Sequence, residues 1–277
     1  MNKPAPESAE SALSLAVIGA GNMGGTVLRA MLASGIVKAE QVGICDPDEE
    51  RAIEFMTLGC RRLDLVAAGR TGRILLAVKP QILAKIAGEI GPGDGPRLVI
   101  SVMAGFRSTR ILDALRGDTR IVRAMPNTPA AIGAGVTAIS PGDGAMESDL
   151  AFARSLFASV GTTVDIDEDH LHAVTAVSGS GPAWVFRKAE AWISAAITEG
   201  LPPDVARILV VETLYGAALL LRESELDAGA LRAAVTSKGG TTAAGLTALD
   251  EAGFDQAVHG AIRAAVARGH ELDSNDT

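Results

Sequence analysis

The chain has 277 residues, 48% of them hydrophobic and only 3% aromatic, which is enough for one large or two medium domains with cores built mainly of Ala, Leu, Val and Ile. A net charge of -8 speaks against general nucleic-acid binding while leaving room for a small anion held locally. Two cysteines, Cys45 and Cys60, are too few for a disulfide framework or a zinc cluster, so no metal is expected and a reducing cytoplasm fits.

Residues 1–12 are rich in Ala, Ser, Glu and Pro and lack an apolar stretch, which reads as a disordered arm and not as a signal peptide. No apolar run reaches transmembrane length, so no membrane contact is expected. The first strand is Leu15-Ala16-Val17-Ile18, apolar throughout, as in a parallel strand covered on both faces. Gly19-Ala20-Gly21-Asn22-Met23-Gly24 follows, and then Val27, Leu28, Met31 and Leu32 recur at helical spacing. This strand, glycine turn and helix form a dinucleotide phosphate site. Gly19 allows the tight turn, Gly21 lets the backbone approach a pyrophosphate, and Gly24 lets helix and strand pack closely, while the helix start offers its free N–H groups.

Asp46 ends the next apolar run, Val42-Gly43-Ile44-Cys45, at about the twenty-residue distance at which an acid meets the adenosine ribose. A carboxylate there accepts from both ribose hydroxyls and repels a 2′-phosphate, which leans toward NAD over NADP. The alternative is a helix cap before Pro47, and Arg51 could still meet a phosphate.

Further along, the pattern predicts a helix over 49–58, a strand over 74–78, a helix over 81–90, a strand over 98–102, a helix over 108–115 and a strand over 120–124. Strand-like runs at 135–139 and 162–166 flank a helix at 147–158. The alternation implies a doubly wound parallel sheet of Rossmann type over 13–166, with ligands off the carboxyl ends of its strands. Three exits are candidates. Val78-Lys79-Pro80 starts a helix with Pro80 where no N–H is needed and places Lys79 toward the nicotinamide end. Ala104 lies in the small-residue turn after Ser101, and Asn127 lies in a proline-stiffened turn. Each of the three could also be purely structural.

From 167 to 277 the strand signal disappears and helices are predicted over 182–199, 203–222, 228–236, 242–251 and 254–267. The stretch 208–221 is apolar nearly all round, which suits either burial against another subunit or the centre of a monomeric bundle. Two glycine-rich breaks interrupt these helices, Ser178-Gly179-Ser180-Gly181-Pro182 and Thr236-Ser237-Lys238-Gly239-Gly240-Thr241-Thr242. The second leads into a helix start and could bind a carboxylate or serve as a simple cap.

Five stretches, Gly19 to Gly24, Val78-Lys79-Pro80-Gln81, Arg123-Ala124-Met125-Pro126-Asn127-Thr128-Pro129-Ala130, Ser178-Gly179-Ser180-Gly181-Pro182-Ala183 and 237–246, occur in an order and spacing that resembles the pyrroline-5-carboxylate reductases. The resemblance implies reduction of (S)-1-pyrroline-5-carboxylate to L-proline by NADPH or NADH, the last step of proline biosynthesis. It implies a cofactor site of Gly19, Gly21, Asn22, Met23, Gly24, Asp46, Val78, Lys79, Pro80, Ala104 and Asn127. Substrate would be held by Ser237, Gly239, Gly240, Thr241 and Thr242, with its carboxylate on the N–H groups of Gly240, Thr241 and Thr242 and its ring nitrogen on the Thr242 hydroxyl. Thr242 and Lys79 would be the catalytic pair. The resemblance also implies homodimers through the helical domain, often stacked into decamers, with each site drawing on both chains. Lys238 departs from the family, which usually has proline there, and Asp46 departs from the many members that favour NADPH. A 3-hydroxyacid dehydrogenase, faintly resembled by Gly179-Ser180-Gly181 with Lys188, lacks its expected Asn in this stretch.

Overall fold

The computed structural model describes residues 13–274, so the arm expected at 1–12 lies outside the described residues. The chain divides into two compact units, one running up to Ser180 and resuming at Ala265, the other covering Gly181–Ala264.

The first unit alternates β1 (Leu15–Ile18), α1 (Asn22–Ala33), β2 (Val42–Cys45), α2 (Glu49–Thr57), β3 (Arg61–Arg62), α3 (Leu65–Gly69), β4 (Arg73–Leu76), α4 (Pro80–Ile90), β5 (Arg97–Ser101), α5 (Ser108–Leu115) and β6 (Thr119–Met125). It continues through β7 (Gly135–Pro141), α6 (Glu147–Ala158), β8 (Gly161–Asp165) and the short α7 (Leu171–Val174). One sheet carries all eight strands in the order β3-β2-β1-β4-β5-β6-β7-β8. The apolar strands alternate their side chains between two covered faces: Leu75 joins Val17, Ile44, Ile100 and Val122 on one, while Ile74 and Leu76 join Ile18, Val99 and Ile121 on the other.

Two features depart from the expected pattern. β3 and α3 were not predicted, because two and five residues are too short to display a period. β7 runs antiparallel to β6, and β8 follows β7 in parallel, so the sheet is parallel only from β3 to β6 and again within its last pair. The physical reason is the link between Met125 and Gly135, which holds a single 3₁₀ turn at Thr128–Ile132 in place of a helix long enough to carry the chain back across the sheet.

At the amino end of β5, opposite the strand exits, Arg97 is 1% exposed. Its guanidinium donates to the carbonyls of Gly69 (2.8 Å), Gly91 (2.8 Å) and Leu115 (3.2 Å), and its Nε donates to Thr119 Oγ1 (3.0 Å). Those carbonyls close α3, α4 and α5, so one cation satisfies three helix C-termini and sits at the negative end of each dipole.

The last helix, α12 (Phe254–Ser274), contributes its end to the first unit. There Arg107 donates from Nε to Asp273 Oδ2 (3.1 Å), Arg110 donates to the Asp273 carbonyl (2.6 Å), and Leu272 Cβ lies 3.1 Å from where a side chain on Gly105 would begin.

The second unit is helical: α8 (Gly181–Thr198), α9 (Pro203–Glu223), α10 (Ala228–Ala234), α11 (Thr241–Glu251) and the start of α12. Ala206 and Val210 are its two buried residues. Among the described residues no helix is long and apolar enough to cross a membrane.

Candidate active site

The carboxyl ends of β1, β2, β4 and β5 open onto a cleft of about 1050 Å³, comparable with the roughly 300–1,000 Å³ of small-molecule sites. Gly19, Gly21, Asn22, Met23, Asp46, Val78, Lys79, Pro80 and Ala104 all line it. Gly19 holds φ at +94°, and a Cβ there would stand 2.7 Å from the Ala77 carbonyl oxygen. Gly24 is buried, and a Cβ on it would collide with the Gly19 carbonyl. At Gly21 the nearest atom to a Cβ would be Arg51 Nη1 at 3.7 Å, an ordinary contact with a flexible side chain, so the backbone here is approached by no fixed atom of the fold. α1 begins directly after Gly21 with no side-chain cap, which leaves its first-turn N–H groups for a ligand. Turn, approach and close packing thus fall to the three glycines as a bound dinucleotide requires, and the residues present fit that group.

Asp46 is buried, and both carboxylate oxygens are engaged: Oδ2 accepts from the Ala20 N–H at 2.6 Å and Oδ1 from the Asp48 N–H at 2.9 Å. The cap of α2 is Asp48, whose Oδ1 accepts from the Arg51 N–H at 3.2 Å. Asp46 is therefore not the helix cap, and its carboxylate ties the end of β2 to the glycine turn before any ribose is present. Arg51 and Arg62 line the same end of the cleft, Arg51 Nη1 lying 4.0 Å from Asp46 Oδ1 and Arg62 Nη2 donating to the Asp46 carbonyl at 3.3 Å. Arg62 went unnoticed in the sequence because it sits on the two-residue β3. Cys45 also lines the cleft, and burial pushes its thiol pKa up; the same cause pushes that of Cys60 up to about 11.

At the exit from β4 Lys79 is the N-cap residue of α4 and Pro80 its first helical residue, where the missing N–H of proline costs nothing. Asn127 is elsewhere. It does not line the cleft; its Oδ1 accepts from the Val136 N–H (3.0 Å) and its Nδ2 donates to the Ser178 carbonyl (3.2 Å). The side chain expected beside the nicotinamide instead braces the turn between β6 and β7, where a buried amide must find partners for both ends.

In the second unit, the stretch Ser237-Lys238-Gly239-Gly240 leads into α11. Gly239 has φ +70°, and a Cβ on Gly240 would run into Ser237 Oγ. The Gly240 N–H donates to the Ser237 carbonyl at 3.1 Å, so it does not serve a substrate carboxylate as expected. The helix ladder begins with Ala244 N–H to Gly240 O at 3.1 Å, and no side chain caps the end. The N–H groups of Thr241, Thr242 and Ala243 stand ahead of that ladder, and the exposed Thr241 and Thr242 add hydroxyls. Capping, the alternative reading of these threonines, is not what they do.

A dinucleotide cleft on a Rossmann sheet, joined to a helical unit with an uncapped anion-sized helix start, defines a nicotinamide-dependent oxidoreductase. A family model described as pyrroline-5-carboxylate reductase dimerisation matches residues 168–272, and one described as NADP oxidoreductase, coenzyme F420-dependent, matches 14–105. The pyrroline-5-carboxylate reductase of Synechocystis is 37% identical over 263 residues, covering 94% of this chain and 98% of that protein. The Haemophilus influenzae enzyme is 37% identical over 265 residues, covering 94% and 97%. Among solved structures, a pyrroline-5-carboxylate reductase from Coxiella burnetii superposes with a TM-score of 0.87 at 30% identity, covering 96% of this chain and all of that one. The Plasmodium falciparum pyrroline carboxylate reductase, with NADP bound, gives 0.84 at 26% identity and the same coverage.

The chain belongs to the pyrroline-5-carboxylate reductase family. It is an NAD(P)H-dependent reductase of 1-pyrroline-5-carboxylate, and its helical half is a dimerisation domain through which copies of the chain associate.

Proposed function

We propose that the dinucleotide-binding part, 13–166, carries the cofactor and that the helical part, 167–277, carries both substrate and subunit contacts. Gly19, Gly21, Asn22, Met23 and Gly24 take the pyrophosphate; Val78, Lys79, Pro80 and Ala104 border the redox end. The cofactor, when bound, supplies a hydride to the imine carbon.

The chain's own residues do the rest. Thr241, Thr242 and Ala243 offer backbone N–H groups to the substrate carboxylate at the positive end of α11. Ser237 and Gly239 shape the approach to that helix start. The Thr242 hydroxyl aligns the ring nitrogen and relays to it a proton taken from solvent water as the C=N bond is reduced, so the hydroxyl itself ends protonated, and Lys79 contributes a positive charge beside the redox end. No strong general base is needed, because the reaction adds a proton and removes none. The observation that carries this reading is the uncapped start of α11 behind two glycines.

The assembly we propose stacks dimers into a decamer, with the exposed apolar face of α9 in a subunit contact, and the chain works in the cytoplasm. Turnover of (S)-1-pyrroline-5-carboxylate with NADPH or NADH, followed as proline formed per cofactor oxidised, tests the reading. One proline per cofactor is expected; no turnover with either cofactor overturns it.

A further inference from the structure

The turn that leaves β5 is held from beneath by residues that never reach the cleft. Val102, Met103 and Ala104 line the cleft. Both polar groups of Met103 are fixed: its N–H donates to Ser101 Oγ at 3.3 Å, and its carbonyl accepts from Arg123 Nη2 at 2.7 Å. Arg123 sits on β6 in register with Ser101 on β5 and is 4% exposed. Its Nη1 donates to Glu168 Oε1 at 3.2 Å. That carboxylate also accepts from the N–H of Ser108 (2.7 Å) and, through Oε2, from its hydroxyl (2.7 Å), at the start of α5. One partly buried ion pair, with Arg123 enclosed and Glu168 18% exposed, therefore grips the turn at both ends, at Met103 and at Ser108. Gly105 between them holds φ at +65°.

The arrangement is costly for a merely structural brace. Arg123 Nε is buried without a hydrogen-bond partner among the described residues, and an unsatisfied buried donor asks for an explanation. The planar fork of arginine lets one side chain reach Met103 through Nη2 and Glu168 through Nη1 together, which a lysine ammonium cannot do in the same geometry.

We propose that Arg123 is a positioning residue for the reduction: it fixes the height of the Met103–Ala104 peptide on the cleft wall, and with it the seat of the redox end of the cofactor. The proposal rests on the reading above that this end lies along the Val78 and Ala104 exits. A misplacement of about 1 Å at the reacting centre can cost a hundredfold in rate.

The test is Arg123→Lys in the full chain, which keeps the charge and loses the fork. The expected result is a fall in kcat of roughly tenfold to a hundredfold with KM for the imine within about threefold. The deuterium isotope effect on kcat, measured with the transferred hydrogen labelled, should rise as the chemical step becomes limiting. An unchanged isotope effect, or a loss of kcat that only tracks the loss of folded protein, overturns the proposal. Should Arg123→Lys fail to fold, Ser101→Ala removes the other tie on Met103; the same rise in isotope effect is expected with a smaller fall in kcat, and no rise overturns the idea. A wild-type chain inactive on the imine would overturn the functional reading and this proposal together, whereas an active wild type matched by the variants overturns this one alone.

Discussion

The two units solve the problem of apolar surface in opposite ways. The first buries a large apolar core within itself, Leu15, Val17, Leu28, Ile44, Leu75, Ile100 and Phe157 all being fully buried, and leaves only scattered apolar side chains such as Ile53, Leu58, Ile132 and Val177 more than half exposed. The second leaves Phe186, Ile208, Leu209, Tyr215, Leu220 and Val235 more than half exposed, with Ala206 and Val210 as its buried residues. Exposed apolar patches of that extent mark an interaction surface. The first unit finds its core within one chain, whereas the second leaves apolar surface for a copy of the chain to cover, which is the physical content of a dimerisation domain. The expectation that follows is stability set by internal packing in the first and by protomer concentration in the second.

The contrast can be broken most sharply on α9. Leu209→Glu or Tyr215→Glu places a charge on a face left 51% and 65% exposed in the single chain. Light scattering should show monomer or aggregate, with activity falling tenfold or more; a fully active oligomer of native mass in both variants would refute the assignment of this face. Val210 is the wrong probe, because at 4% exposure it is already buried within its own chain and its replacement would report on folding.

The counterpart in the first unit is Arg97→Met, which keeps the volume and strands carbonyls at the ends of three helices. With each unsatisfied carbonyl costing about 1–3 kcal/mol, the loss should reach roughly 3 kcal/mol or more, visible in denaturant unfolding and independent of protein concentration. A concentration-dependent loss would mean the first unit is not self-sufficient.

Within the second unit, Thr242→Ala should lower kcat by about tenfold to a thousandfold while leaving NAD(P)H affinity nearly unchanged, and Thr242→Ser should restore most of the rate. Steady-state kinetics and cofactor titration on the same samples check this; an alanine variant with normal kcat removes Thr242 from the chemistry.

The smallest expected effect concerns Asp46→Ser. If the carboxylate served chiefly to accept ribose hydroxyls, this change would move preference toward NADPH. Because both oxygens hold backbone N–H groups of the first unit, we expect affinity for NADPH and NADH to weaken together, by about tenfold, with a lower melting temperature. Fluorescence titration with each cofactor decides, and a clean switch to NADPH would restore the ribose role.

Much of this was legible in the sequence where local pattern and local structure coincide. β1 and β2 showed as apolar runs because both faces are covered, α5 and α6 showed their period over whole turns, and Gly19 and Gly24 announced a turn that only glycine fits. What escaped notice is tertiary. Strand direction is absent from an alternation pattern, so the reversal at β7 was invisible. That Asp46 reaches Ala20, that Asn127 faces Val136 and Ser178, and that Arg97 gathers three helix ends are facts of register between distant segments. The N–H of Gly240 was assigned to a ligand because a sequence does not reveal that the preceding turn closes on Ser237.

The end of α12 belongs to the first unit, through Asp273 on Arg107 and Arg110 and through Leu272 beside Gly105. On the ribosome this has a temporal meaning. The sheet is complete once β8 has emerged, yet the wall over Gly105 and the start of α5 waits for residues made more than a hundred positions later. The nascent dinucleotide-binding unit is thus a vessel delivered without its stopper, open at one side until α12 has been made.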